Sequence, residues 1–485
     1  MKKLLLSFLL HLPVLCIGQT GVSVPSLVNF DTAMIGLLNR YNVPGGQLAI
    51  TYNGRLVYNR GFGMAAVNNS TPVEPFNTFR IASVSKPITG IAIMKLMEAG
   101  QIQLNDKVFG PTGILNDAIY QNILDSRILN ITVRMLLHHS GGWNSDLSGD
   151  PMFDSYNIST VMGVSPPADA QTVLQYMLAH RMLDFDPGTQ YAYSNFGFLV
   201  LGKVIEKISG MSYEDYVQTN ILTPLGITTM HLAKNLEADR FNEEVKYYDY
   251  PGAPLAYSVY DNSTLVPWPY GGFNIEAMDA HGRWIASAED LCKILVAVDR
   301  FNSKPDILPA YLIDTMTTAA SPNVNYACGW GVNSNNNWWH LGSIPGTSTE
   351  IVRSAQGINW SILLNSRTAN SGIVANAMDG LVWSVLPTIA SWPAHDLWIG
   401  IDELSWADAI ACYPNPAKYF IQIDMSSSKK AVDEINFYDL TGRLIIKQKN
   451  NQSIQKIDIS NLQPGVYVLE LISGDKKSCK KITVE

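Results

Sequence analysis

Several features that would name a function outright are scarce or missing in this sequence. Its 485 residues hold only five cysteines, at positions 16, 292, 328, 412 and 479, with no metal-ligand spacing. Neither a disulfide framework nor a zinc ribbon can be built from them, although a single Cys412–Cys479 bridge stays open in an exported chain. Basic clusters are lacking outside the C-terminal region and the net charge is −8, which excludes the phosphate-binding footprint of a nucleic-acid protein. The histidines show no His-x-His grouping and no Gly-x-Ser-x-Gly occurs, so a metallo-hydrolase and an α/β-hydrolase are both disfavoured. Beyond the N-terminus no run of eighteen apolar residues occurs, which leaves no candidate transmembrane helix. With 47% hydrophobic and 16% charged residues, the chain reads as an ordinary globular protein with room for a large core.

The pattern divides into four parts. Met1-Lys2-Lys3, an apolar stretch to Ile17 and a polar opening at Gly18 read as a secretory signal, residues 1–18. Residues 19–386 mix helical and strand periodicities. "QLAITYNGRLVY" alternates around Asn53-Gly54 and predicts a hairpin. Helices are expected over 27–41, 84–99, 170–181, 196–209, 212–222, 288–299 and 372–386, with Ser287 capping the sixth. Strands return at 337–341, 347–353 and 359–364. Early strands, a helical middle and late strands predict an α+β fold: an antiparallel sheet flanked by helices, with an all-helical insertion. Residues 387–411 read as a linker. Residues 412–485 turn wholly β and net basic, with eleven Lys or Arg against eight Asp or Glu, and predict a small all-β sandwich.

One stretch carries chemistry. In "FRIASVSKPITGIAIMKLMEAG" a serine opens an almost unbroken apolar helix that contains Lys86. Residues i and i+3 share a helix face, so Ser83 and Lys86 can meet. Burial lowers a lysine pKa and frees its amine as a base for the hydroxyl. Ser-x-x-Lys alone is common here: Ser426/Lys429, Ser427/Lys430, Ser473/Lys476 and Ser478/Lys481 repeat it in polar turns of the tail, where a solvated surface is expected. Only Ser83 opens a buried helix; the rival reading there is an N-cap with a snorkelling lysine. Tyr193-Ser194-Asn195 precedes a second apolar helix, and His340-Leu341-Gly342 ends a strand at a Gly/Ser turn.

Ser-x-x-Lys, then Tyr-x-Asn, then His-x-Gly, together with "TVRMLLHHSGG", "FDPGTQYAYSN", "ILTPLGI", "WIASAEDL" and "HLGSIPGTS", resembles the serine β-lactamase and D-alanyl-D-alanine carboxypeptidase superfamily. The likeness is to its class C-like branch with related esterases and D-aminopeptidases. It implies Ser83 as acylated nucleophile, Lys86 sharing its proton, Tyr193 as general base and then acid, and Asn195 binding the substrate amide and orienting Lys86. It further implies backbone N–H groups of Ser83 and Ser343 as the oxyanion hole, with His340 and Gly342 on the strand that pairs with substrate. No metal or cofactor is implied. Expected substrates are D-amino-acid peptides or carboxylic esters; the alternatives are a class C-like β-lactamase and a penicillin-recognising module that acylates without turnover. The tail phrases "CYPNPAKYFIQID", "INFYDLTGRLI" and "LQPGVYVLEL" resemble the C-terminal sorting domain of type IX secretion, which implies an exported or cell-surface protein, expected as a monomer, that engages that machinery.

His340 departs from the lysine found in many β-lactamases. An imidazole titrates near neutrality, so a carboxylate held by it would bind more weakly as pH rises through its pKa. His138-His139 are implied as structural support. His281 and Arg283 either shape specificity or pack, and Tyr270 and the Trp-rich stretches either line a pocket or pack.

Overall fold

The computed structural model describes residues 18–398, 410–426, 431–439, 442–450, 452–474 and 476–485. Residues 1–17 of the 1–18 signal segment, residues 399–409 of the linker, and Ser427, Lys429 and Lys430 of the tail Ser-x-x-Lys pairs lie outside the described residues. The chain forms two compact units, Met1–Pro393 and Ala394–Glu485. Among the described residues no helix is long and apolar enough to cross a membrane.

The larger unit is built on an antiparallel sheet: β1 (Gln19–Gly21), β2 (Gly45–Tyr52), β3 (Arg55–Ala66), β4 (Gly331–Val332), β5 (Trp338–Ile344), β6 (Thr347–Arg353) and β7 (Ile358–Leu364). Their order is β1-β3-β2-β7-β6-β5-β4, with Thr71–Pro72 added beside β3. The expected hairpin is the start of this sheet: Asn53 and Gly54 both take positive φ, 49° and 71°, as its two-residue turn needs. The decisive pairing joins chain ends: Ile358 of β7 lies opposite Tyr52 of β2 and Leu364 opposite Gly46. Apolar side chains of α1 (Val28–Tyr41) and α5 (Ser371–Val385), among them Phe30, Met34, Val374 and Met378, pack with Leu48, Ile362 and Trp360 of the sheet into one buried cluster. The intervening chain holds α2 (Ser85–Glu98), α3 (Asn195–Ser209) and α4 (Ala288–Val296).

Most elements fall where periodicity puts them. Strand β5 runs on to Ile344, three residues past its expected end, because the Gly342-Ser343 segment pairs with Thr349 and Ser348 instead of turning away. The expected 212–222 helix is α-helical over Tyr213–Val217 and π-helical over Gln218–Leu222. Ser287 forms a full capping box with Asp290, and α4 stops at Val296.

Two devices place the turn before α2. Arg80, fully buried just upstream, donates to Pro269 O at 2.6 Å and Lys234 O at 2.7 Å and sits 3.8 Å from Glu244. Its guanidinium lies over the rings of Tyr247 and Tyr270, so Tyr270 packs around this cation. On the sheet side, Thr349 Oγ1 donates to Ile81 O at 2.8 Å. Gly342 lets β5 approach this turn, since a Cβ there would sit 2.2 Å from Thr349 Oγ1 and 2.5 Å from Ile81 O.

In the smaller unit, Ala411–Tyr413, Phe420–Asp424 and Ile454–Asp458 form one sheet. Leu444–Lys449, Glu434–Tyr438, Gly465–Ser473 and Lys476–Val484 form the other, and both contribute to one core that includes Ile421, Phe437, Leu469 and Ile482. Cys412 and Cys479 stand on different sheets with no disulfide between them, so the bridge left open by the sequence is not formed; the buried Cys292 and Cys328 are not in a disulfide either.

Gly342→Ala should destabilise the larger unit by about 1–3 kcal/mol through overpacking against backbone. Urea titration of the two proteins tests this, and an unchanged midpoint would mean the turn yields freely.

Candidate active site

Residues Ala82–Val84 form a single 3-10 turn that runs straight into α2. Ala82 takes φ 49°, a left-handed conformation unfavourable for a residue with a Cβ, and it is held there by the contacts around Ile81 and Gly342. Ser83 follows immediately, partly accessible, while Lys86 one turn on is wholly buried.

The Lys86 amine is the hub. Its Nζ lies 3.0 Å from Ser83 Oγ, 2.7 Å from Asn195 Oδ1 and 3.1 Å from the His281 carbonyl oxygen. The rings of Tyr193 and Phe198 sit against it at 4.6 and 5.7 Å. Asn195 Oδ1 and His281 O can only accept, so a neutral amine donates its two N–H bonds to them and keeps its lone pair for the serine hydroxyl. Burial pushes the Lys86 pKa well below its ordinary value, and Asp150 only partly opposes this.

Asn195 opens α3, whose N-terminus is capped by Ser194 accepting from Gly197 N–H at 3.1 Å. Its amide is engaged at both ends, because Nδ2 donates to Asp150 Oδ2 at 2.6 Å. Tyr193 hydrogen-bonds Ser83, and burial raises its pKa strongly, so it stays a protonated phenol. His139 brackets this tyrosine: its carbonyl accepts from Ala192 N–H at 2.9 Å, its Nδ1 accepts from Ser194 N–H at 3.1 Å, and its ring lies 4.3 Å from that of Tyr193.

His340 is 6% exposed and both of its nitrogens are taken. Nδ1–H donates to Leu341 O at 2.6 Å and Nε2 accepts from Tyr326 OH at 3.0 Å. Burial, with the nearby Lys86, lowers its pKa to about 3. The imidazole is therefore neutral at physiological pH, unlike the titrating carboxylate holder considered from sequence. Gly342 faces the Ser83 turn. Ser343 is exposed, and the β5 edge from His340 to Ile344 has no strand opposite it among the described residues, because β4 pairs only with Trp338 and Trp339.

Arg283 is committed to scaffolding: it donates to Ala233 O at 2.8 Å and Glu276 O at 3.0 Å and pairs with Asp279 at 2.7 Å. His281 contributes its carbonyl to Lys86. Sequence reasoning missed Asp150 and Tyr326. "SGDPMF" announces Asp150 only as the cap of a short helix, a role it also fills by accepting from Met152 N–H at 3.0 Å. Nothing local marks Tyr326. No group of three or more His, Cys, Asp or Glu suited to a metal ion occurs among the described residues.

Residues 30–380 match the family model described as Beta-lactamase, and residues 411–485 match that of the secretion system C-terminal sorting domain. The chain is similar to protein flp of Staphylococcus aureus, 24% identical over 324 residues that make up 66% of this chain and 59% of that protein. It thus spans about 59% of the length of those relatives. Among solved structures, D-amino acid amidase from Ochrobactrum anthropi SV3 complexed with D-phenylalanine covers 74% of this chain and 99% of its own, with TM-score 0.58 and 20% identity. The octameric penicillin-binding protein homologue from Pyrococcus abyssi covers 93% of this chain and 99% of its own, with TM-score 0.55 and 21% identity. Both likenesses concern the fold.

His138, His139, His281 and His340 are all buried with lowered pKa values, so each is neutral when folded and takes up a proton on unfolding below pH ~6.5. The unfolded state then binds more protons, and stability should fall on acidification by about 1.4 kcal/mol per pH unit per histidine, until each folded-state pKa is reached. Thermal melts from pH 7 to 4.5 measure it; a flat Tm would refute neutral burial.

Proposed function

The chain belongs to the β-lactamase family, and from that premise we propose that it is an exported serine hydrolase acting through an acyl-serine on D-amino-acid amides and the amino ends of D-peptides. The observation that carries the reading is the desolvated Lys86 amine held between Ser83, Asn195 and the His281 carbonyl.

In this reading Ser83 Oγ attacks the scissile carbonyl while its proton passes to Lys86 Nζ. The oxyanion forms between the backbone N–H groups of Ser83 and Ser343. Collapse expels the amine, which takes the proton back from Lys86 through the Tyr193 phenol. Water then enters and gives its proton to Lys86 Nζ as it attacks the acyl carbon, and as the acid leaves Lys86 returns that proton to Ser83 Oγ. Tyr193 relays protons here and does not start as a phenolate, which agrees with its raised pKa. Asn195 orients Lys86, and the open β5 edge offers backbone groups to an extended substrate.

Substrate charge follows from what surrounds these groups. His340 stands where a cation would greet a carboxylate, and it is neutral and buried, which speaks against β-lactams and C-terminal carboxylates. Asp150 supplies a negative charge felt by both Lys86 and Tyr193, suited to a substrate ammonium. Exposed Leu147 and Phe153 flank it in sequence and suit an apolar side chain. The amidase whose fold this chain shares is described with D-phenylalanine, which supports the same class. The tail's match to a sorting domain supports export through the type IX machinery, with the signal segment 1–18 as the first step.

Ser83→Ala should abolish hydrolysis of D-phenylalanine amide and labelling by a serine-directed acylating probe. With Ser83 intact, D-phenylalanine amide should be preferred to its N-acetyl form, and Asp150→Asn should shrink that preference by about 10- to 100-fold, the worth of one charge-assisted hydrogen bond. KM should stay flat from pH 5.5 to about 7, because His340 stays neutral throughout, and rise toward pH 8 as the substrate α-amino group, with an ordinary pKa of about 7.7–8.0, loses its proton. Labelling at another residue, or an equal preference in Asp150→Asn, would sink the assignment.

A further inference from the structure

Strand β5 has a second face. His340 and Gly342 look toward the Ser83 turn, whereas Trp339 and Leu341 line a cleft of about 550 Å³ on the α5 side. The α1–α5 layer packs over β2, β3, β6 and β7 and reaches Trp339 of β5, which is only partly buried beside the cleft. The cleft is walled by the loop Asn333–Asn337, the β6–β7 turn at Gln356 and the α5 residues Asn376, Asp379 and Trp383.

Asn335, Gln356 and Asn376 are exposed, and their side-chain amides hydrogen-bond to no other described residue. Each amide offers donors and an acceptor side by side, a pattern that adjacent hydroxyls of a sugar ring complement. Trp339 is seated on Gly331, where any Cβ would strike the indole at 2.7 Å, so its ring is fixed flat against β4. Trp383 is braced edge-on by Trp360 at 4.9 Å and 85°. Among the described residues Asp379 is the only charged one lining the cleft, and it accepts a hydrogen bond from the buried carboxyl of Glu350; no described Lys or Arg lines it to attract an anion. Rigid indoles, unsatisfied amides and one fixed carboxylate match the apolar C–H faces and hydroxyl edges of a neutral sugar.

We propose that this cleft is a binding site for a neutral oligosaccharide, separate from the acyl-transfer site and carried on the opposite face of the same strand. A glycan held there would tether the enzyme to a polysaccharide-bearing surface while the other face of β5 stays free for substrate.

The test uses the full chain with tetra-N-acetylchitotetraose and cellotetraose as probes, followed by calorimetry and tryptophan fluorescence. Saturable binding of at least one, with Kd at or below about 1 mM, is expected. Asn335→Ala/Gln356→Ala, two exposed loop changes with no packing role, should weaken it by about tenfold or more at unchanged Tm and unchanged Ser83 labelling. Trp383→Ala should weaken binding and reduce the fluorescence response. No binding of either sugar up to about 10 mM, or binding equal in the double variant, would overturn the proposal.

Discussion

The site depends on keeping water away from one nitrogen. A lysine ammonium on a surface holds its proton tenaciously and is useless as a base near neutrality. Lys86 differs because α2 is apolar nearly all round and is buried along most of its length. Desolvation disfavours the charged form, and the two carbonyl oxygens beside it accept the amine's hydrogens without supplying a countercharge. Asp150 is held one residue away, through Asn195, so its charge is felt without forming an ion pair that would restore the ammonium.

Around that nitrogen the fold supplies rigidity from unrelated stretches of chain. The Ser83 turn is pinned by Arg80 behind it and by β5 across it. Tyr193 is pinned by His139, whose backbone and ring both engage the residues on either side of the tyrosine. His340 is pinned by Tyr326. At two of these places histidine, His139 and His340, serves as a neutral, shaped hydrogen-bonding group. Four of the eight histidines, these two with His138 and His281, are buried with lowered pKa values, which ties the integrity of the site to pH through the fold.

The sheet explains how distant segments come together. Because β2 pairs with β7, the first hairpin and the last three strands form one surface, and everything between them is an excursion that leaves and returns. Ser83 lies just past the outgoing hairpin, Tyr193 and Asn195 lie on the excursion, and His340 lies on a returning strand. The alternation of β5 then gives that strand two roles, one face toward the serine and one toward the amide-lined cleft.

The sequence by itself determined most of the elements and singled out the Ser83–Lys86 pair. A serine before an apolar helix, with a lysine one turn on, requires that the lysine be buried if the helix is; the alternation of β5, the Asn53-Gly54 turn and the Ser287 cap are likewise local patterns read directly from residue order. Only the tertiary structure decided which charges stand near that lysine. Asp150 and Tyr326 carry no local signature, since their roles arise from contacts across 45 residues to Asn195 and 14 to His340. The protonation of His340 likewise could not be read from its neighbours in sequence, because desolvation is set by everything packed around a group. Local order fixes periodicity and spacing; dielectric surroundings and charge neighbours exist only once the chain has closed on itself.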